Sequence, residues 1–156
     1  MTARDSTVSS LLFVHNAREM VGTPYHHLGR LPGVGLDCIG VILATMQASG
    51  CDMMGFQDYA YGPVPNGHFK KALDKYFDNV WERGVSQMPM QMCLKSGDVV
   101  SITWKTQPMH CGIIAVGMYG WNLIHAFSGN EKVVEHRLDE VWAARVVGIY
   151  RIKDVR

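Results

Sequence analysis

Apolar residues recur at helical spacing in the first half of the chain and at strand spacing in the second. Leu11, Leu12 and Val14, with Ala17 and Met20, predict a first helix over Ser9–Met20. Gly22-Thr23-Pro24 ends it, because Pro lacks a backbone N–H and biases its predecessor towards extended geometry. A loop rich in Gly and Pro follows from Tyr25 to Gly35. Leu36-Asp37-Cys38 then opens a second helix carrying Ile39, Val41, Ile42, Leu43 and Met46, with Gly50 as its C-terminal cap. That helix is apolar on most faces, which predicts a buried central position. Asp52–Pro65 reads as irregular. Asn66 caps a third helix with Phe69, Ala72, Leu73, Tyr76, Phe77 and Val80 inward and Lys70, Lys71 and Lys75 outward.

From Gly97 the period changes. Asp98–Trp104, His110–Gly117, Asn122–Ser128, Lys132–Leu138 and Val146–Ile152 predict strands joined by short polar or Gly-containing turns. Asp139–Ala144 predicts one helical turn before the last of them. Helices followed by an antiparallel meander make an α+β layout. At 156 residues the chain has the usual length of one domain, so a single domain over residues 1–156 is expected.

Composition narrows the function classes. Hydrophobic residues make up 47% and charged residues 19%, so the chain is too apolar and too weakly charged for a disordered one. With 15 basic and 14 acidic side chains the net charge is +1, which argues against a nucleic-acid-binding surface. No apolar run approaches the roughly 20 residues that span a bilayer. Met1-Thr2-Ala3-Arg4-Asp5-Ser6 lacks the pattern of a secretory signal, so synthesis and retention in the cytoplasm, or signal-independent exit, is expected. The four cysteines (38, 51, 93 and 111) contain no C-x-x-C pair, which fits neither a disulfide scaffold nor a structural zinc site.

Cys38 stands out among them. In the first turn of a buried helix it would lie among unpaired N–H groups at the positive end of the helix dipole, where a thiolate is stabilised. The competing reading is a small buried filler. His110 and His125 favour the first reading: on neighbouring hairpin strands their rings would lie side by side, facing Cys38. One imidazole would take the thiol proton and the other would orient it. Cys111, next to His110 in a strand, should point to the opposite face and serve packing. Cys51 and Cys93 are read as packing residues too. His15 and His68 are read as solvated, and His136 as facing either core or surface. A rival use of the same residues is a tetrahedral metal set of Cys38, His110, His125 and either His26 or His27. No two of the first three have the spacing of ligands on one helical turn, which weighs against it.

Taken together, these residues resemble a family. Gly22-Thr23-Pro24-Tyr25, Gly29 and Gly35-Leu36-Asp37-Cys38-Ile39-Gly40, followed by Gly97-Asp98-Val99-Val100, His110-Cys111-Gly112-Ile113 and Ile124-His125-Ala126, resemble the signature of NlpC-type cell-wall cysteine peptidases. The Tyr25-His26-His27 form, the run Gly33–Cys38 and the ending Ala144–Arg151 are similar to small peptidases encoded among phage tail genes and gene transfer agents. The resemblance implies a papain-like fold, with N-terminal helices packed on a five- to six-stranded antiparallel sheet. It implies hydrolysis of an amide bond in peptidoglycan stem peptides, often between γ-D-glutamate and a diamino acid. Carried over, Cys38 is the nucleophile, His110 the general base, His125 the orienter and Tyr25 a contributor to the oxyanion site. Asp37 and His27 become substrate-binding residues. Ile39 stands where the family usually has Ser. The resemblance implies no cofactor and no metal. The partners it implies are the stem peptide and other phage tail proteins, with no nucleic acid and no membrane insertion. Cys38 precedes His110, unlike the order in permuted relatives such as lipid acyltransferases, which favours a peptidase or amidase. A tail-tip structural protein with an unused site, or a metal-binding module, are the other classes weighed.

Overall fold

The computed structural model describes residues 9–51, 77–104 and 107–153. Helix α1 (Ser10–Glu19) begins where the Ser9 hydroxyl accepts from the Leu12 N–H at 3.1 Å. Its inward face is Phe13, Val14 and Ala17, with Met20 just beyond. Leu11 and Leu12 were expected inward, but they are 80% and 46% exposed. Phe13, Val14 and Ala17 make a continuous i, i+1, i+4 stripe, and burying the Phe13 ring outweighs burying two leucines on its flank.

Within the predicted loop, the two-residue strands β1 (Arg30–Leu31) and β2 (Gly35–Leu36) form a hairpin around the three-residue turn Pro32-Gly33-Val34. Helix α2 (Cys38–Ala48) follows, with every residue from Ile39 to Met46 buried. Gly50, at φ +79°, takes the left-handed position beyond the helix end that a side chain would strain.

The predicted third helix is corrected at its C-terminal end. Phe77 and Val80 lie in strand β3 (Phe77–Glu82), which pairs antiparallel with the last strand through Phe77↔Ile152 and Trp81↔Ile149. Sheet pairing overrides the helical spacing here, and a register shift between Asn79 and Trp81 accommodates Val80. Asn66, Phe69, Ala72, Leu73 and Tyr76 lie outside the described residues, as does His68.

Short helix α3 (Met90–Cys93) leads into β4 (Val99–Trp104), β5 (Gln107–Gly117), β6 (Gly120–Phe127) and β7 (Lys132–Arg137). Helix α4 (Glu140–Ala143), capped by the Asp139 carboxylate, precedes β8 (Val146–Ile152). The six strands form one antiparallel sheet in the order β3-β8-β4-β5-β6-β7.

Both faces of the sheet are covered. Val99, Cys111, Ile113, Ile124, Ala126 and Val133 pack against α1 and α2. Val100, Ile102, Ile114, Leu123 and Ile149 pack on the other face with Met90, Leu94 and the partly buried Trp142. Consecutive apolar residues such as Val99-Val100 and Ile113-Ile114 therefore serve two cores, as strands buried on both faces require. Asp98 is buried and held by Arg151, whose Nε and Nη2 donate at 2.9 and 2.8 Å. Among the described residues no helix is long and apolar enough to cross a membrane.

Candidate active site

Cys38 is the first residue of α2, and its position follows from Asp37. The Asp37 carboxylate caps the helix by accepting from the Gly40 N–H at 2.7 Å. The same carboxylate accepts from Arg30 Nη1 at 2.7 Å and from the Leu28 N–H at 3.0 Å. One buried side chain thus ties the loop before the helix to the helix start. Gly40 is required there, since a methyl group would run into the Gly29 carbonyl oxygen.

The segment carrying Tyr25 is fixed from the other side. The Gly22 N–H donates to the Val133 carbonyl at 2.9 Å, the Val133 N–H donates to the Thr23 carbonyl at 2.8 Å, and the Tyr25 N–H donates to the Glu131 carbonyl at 2.8 Å. The half-buried Tyr25 packs against the same core as Cys38. Burial, and then the negative charges of Cys38 and Asp37, raise its phenol above the ordinary range.

The pairing Ile102↔His110 gives way to Thr103↔Pro108, which leaves Met109 as an extra residue on β5 immediately before His110. Such bulges re-aim the neighbouring side chain. The expected side-by-side pairing of His110 and His125 becomes a diagonal one. Ile113 pairs with Ile124, so the two histidines are offset along their strands, with ring centroids 4.8 Å apart. His110 Nε2 lies 2.5 Å from His125 Nδ1. His110 also bears on Cys38, whose pKa it helps to lower, and its Nδ1 is the ring nitrogen not engaged with His125.

A third histidine continues the line. His125 Nε2 lies 2.7 Å from His136 Nε2, and His136 Nδ1 lies 2.8 Å from the Arg137 carbonyl oxygen. The register Leu123↔His136 makes this contact diagonal as well. Trp142 from α4 packs edge-on against His125 at 4.9 Å, and Phe127 stacks on it at 5.6 Å. His125 is fully buried. Burial, then the charges of His110 and His136, lower its pKa to about 2, so it is neutral.

Cys111 was expected on the face turned away from Cys38, but it is buried on the helix-facing side, because the bulge at Met109 and the way α2 lies over β5 bring it beneath Cys38. It is thus part of the site. Its Sγ donates to the Cys38 carbonyl at 3.4 Å, which sets it beside the Cys38 thiol. The Cys38 pKa is lowered to about 5, first by Cys111 and then by His110, against burial and Asp37. Burial and the neighbouring Cys38 push the Cys111 thiol up, so Cys38 is the thiolate of the pair.

His26 and His27 are exposed, and His26 Nδ1 lies 2.9 Å from the His27 carbonyl oxygen. The tetrahedral set considered above is not assembled: among the described residues no three His, Cys, Asp or Glu side chains group as metal ligands. The nitrogens of His110, His125 and His136 point at one another instead. Sequence reasoning missed the Cys111 contact and left His136 unassigned. The signal for His136 was its place on the strand after that of His125, on an alternating pattern with Val134 and Leu138.

The arrangement joins an ionised thiol at a helix start, a hydrogen-bonded imidazole and a buried polar support. Those are the parts of a nucleophilic acyl-transfer site. No protein-family model matches the chain, and no curated protein matches it. Solved structures do. The NlpC/p60 domain of peptidoglycan hydrolase SagA is 22% identical, covering 94% of this chain and 99% of that one, with a TM-score of 0.57. An NlpC/p60 family protein from Bacillus cereus is 19% identical over 94% of this chain with a TM-score of 0.62, and this chain spans 41% of its length. An N-acetylmuramoyl-L-alanine amidase from Bacteroides uniformis is 14% identical, covering 92% of this chain and 98% of that one, with a TM-score of 0.62. The helices packed on a six-stranded antiparallel sheet are therefore the fold of the NlpC/p60 domains.

Proposed function

We propose that the protein is a cysteine peptidase or amidase of the bacterial cell wall, hydrolysing an amide bond in peptidoglycan stem peptides. The observation that carries this reading is Cys38 at the start of α2, its pKa lowered by Cys111 and His110, on a fold also seen in peptidoglycan hydrolases and amidases. In this mechanism the Cys38 sulfur attacks the amide carbonyl carbon. The resulting oxyanion is stabilised by the Cys38 backbone N–H and the Tyr25 hydroxyl, and one such donor contributes about 3 kcal/mol. His110 gives its proton to the leaving nitrogen as the C–N bond breaks, leaving a thioester on Cys38. His110 then takes a proton from water, whose oxygen attacks the thioester, and the free carboxylate and thiolate are restored. His125 orients His110. Asp37 and the exposed His27 lie on the loop side and are assigned to substrate binding.

The γ-D-glutamyl–diamino acid bond is the proposed scissile bond. It and the proposed phage-tail setting are supported by the resemblance of Tyr25–His27, Gly33–Cys38 and Ala144–Arg151 to the small tail-associated peptidases. The test is digestion of purified peptidoglycan with mass spectrometry of the fragments, comparing the wild type with Cys38→Ala. New amide-cleavage products from the wild type and none from the variant are expected, with equal circular dichroism. Products from both proteins, or from neither, would sink the reading.

A further inference from the structure

The line of three histidines has a direction, and its far end sets it. A neutral imidazole carries one N–H and one bare nitrogen, and its neighbours decide which is which. His136 Nδ1 faces the Arg137 carbonyl oxygen at 2.8 Å. A carbonyl only accepts, so this nitrogen carries the hydrogen. In neutral His136, Nε2 is then an acceptor, and it lies 2.7 Å from His125 Nε2. His125 must donate from Nε2, which leaves its Nδ1 bare. That bare nitrogen lies 2.5 Å from His110 Nε2, which must carry its hydrogen in turn. The lone pair of His110 is left on Nδ1, the ring nitrogen not engaged with His125.

We propose that His136 is a positioning residue of this site: by accepting from His125 it fixes the tautomers along the line and aims the basic nitrogen of His110 at Cys38. The proposal rests on the reading of Cys38 and His110 as nucleophile and base. It also accounts for the state after proton transfer. The His110 imidazolium donates from both nitrogens, to the thiolate and to His125, and needs His125 Nδ1 bare. His125 is kept neutral by burial and cannot both donate to and accept at one nitrogen. Trp142 and Phe127, which wall the line, offer no alternative acceptor, since an indole only donates and a phenyl ring has no polar atom.

The experiment compares three variants by nitrogen-15 NMR of the histidine rings, the pH dependence of Cys38 alkylation by iodoacetamide, and steady-state hydrolysis of peptidoglycan. In the wild type, His125 should show hydrogen on Nε2 and a bare Nδ1. His136→Gln keeps an accepting oxygen and should stay within a few-fold of wild type in kcat. His136→Leu offers no partner: His125 should populate both tautomers, and kcat should fall by roughly 10²-fold, the cost of a misplaced catalytic group, with KM little changed. His136→Lys can only donate. It should move the His125 hydrogen to Nδ1, raise the midpoint of Cys38 alkylation and give the lowest kcat of the three. A wild-type His125 protonated on Nδ1 would overturn the proposal. So would His136→Leu and His136→Lys variants with unchanged tautomer and alkylation midpoint, whatever their turnover. The first two measurements need no substrate. A protein that shows these shifts yet leaves peptidoglycan intact would refute the peptidase reading and keep the role of His136.

Discussion

Cys111→Ala tests whether the thiol beneath Cys38 sets its acidity. The bond from Cys111 is the largest influence lowering the Cys38 pKa to about 5. A hydrogen bond to a charged group contributes about 1.5–3 kcal/mol, and about 1.4 kcal/mol corresponds to one pH unit. Losing it should raise the Cys38 midpoint by roughly one to two pH units. The thiolate exists above its pKa, so the sign is a loss of reactivity on the acid side. At pH 6 about nine-tenths of wild-type Cys38 is ionised, and the variant should be between about half and a tenth ionised. The packing cost is separate. Cys111 is fully buried, but trimming one sulfur costs on the order of 1 kcal/mol, small beside a typical stability of about 5–15 kcal/mol. The assay is the rate of iodoacetamide alkylation of Cys38 against pH, with the site of labelling verified by mass spectrometry. Cys111→Ser keeps a donor and should shift less. A Cys111→Ala midpoint equal to wild type would refute the reasoning and return Cys111 to a packing role.

His110→Ala should lower kcat by about 10³-fold or more, near the effect of Cys38→Ala, because the thiol loses its proton acceptor. His125→Gln should retain more activity than His125→Ala, since an amide still orients His110, and both should exceed His110→Ala; the reverse order in kcat would exchange the two roles. A methyl group on Gly112 would come within 2.5 Å of Leu123 Cδ1, 3.0 Å of the Ile124 oxygen and 3.1 Å of His125 Cβ. Gly112→Ala should therefore cost about 1–3 kcal/mol, read as a lowered Tm, and reduce kcat by displacing His125; an unchanged Tm would show that β6 yields freely. Arg151→Leu strips two hydrogen bonds from the buried Asp98 carboxylate and should cost about 3 kcal/mol in urea unfolding, at the low end for a broken buried pair because the guanidinium is partly exposed; a loss below about 1 kcal/mol would contradict this.

The helix-then-meander layout is readable because its signals are local. Gly22-Thr23-Pro24 stops α1, Leu36-Asp37-Cys38 opens α2, and the run Val99–Ile102 marks a strand that serves two cores. What escapes a linear reading depends on partners far along the chain. Phe77 and Val80 continue a helical spacing, yet β8, some seventy residues later, takes the segment as a strand. Leu11 and Leu12 are as apolar as Phe13, and only the position of α2 decides which side of α1 is buried. The same holds at the site. Cys38 declares itself by its place at a helix start. The Cys111 contact depends on how α2 sits over β5, and strand alternation alone cannot place two sulfurs against each other. The diagonal offset of His110, His125 and His136 follows from strand register, which no spacing within one strand reveals.

Strand β7 and the residue before it hold both ends of the site. Glu131 and Val133 secure the Tyr25 segment, and His136 ends the histidine line. Cys38 is synthesised about a hundred residues before these partners. At roughly 5–20 residues per second Cys38 exists for some 5–20 s before these residues have been made. For most of that interval, until residue 111 has been added, neither His110 nor Cys111 exists to hold its charge. A nascent chain interrupted ahead of β7 carries Cys38, His110, Cys111 and His125, but neither the strand that secures the Tyr25 segment nor His136. The arrangement around Cys38 is complete only once the strands that follow it have been made.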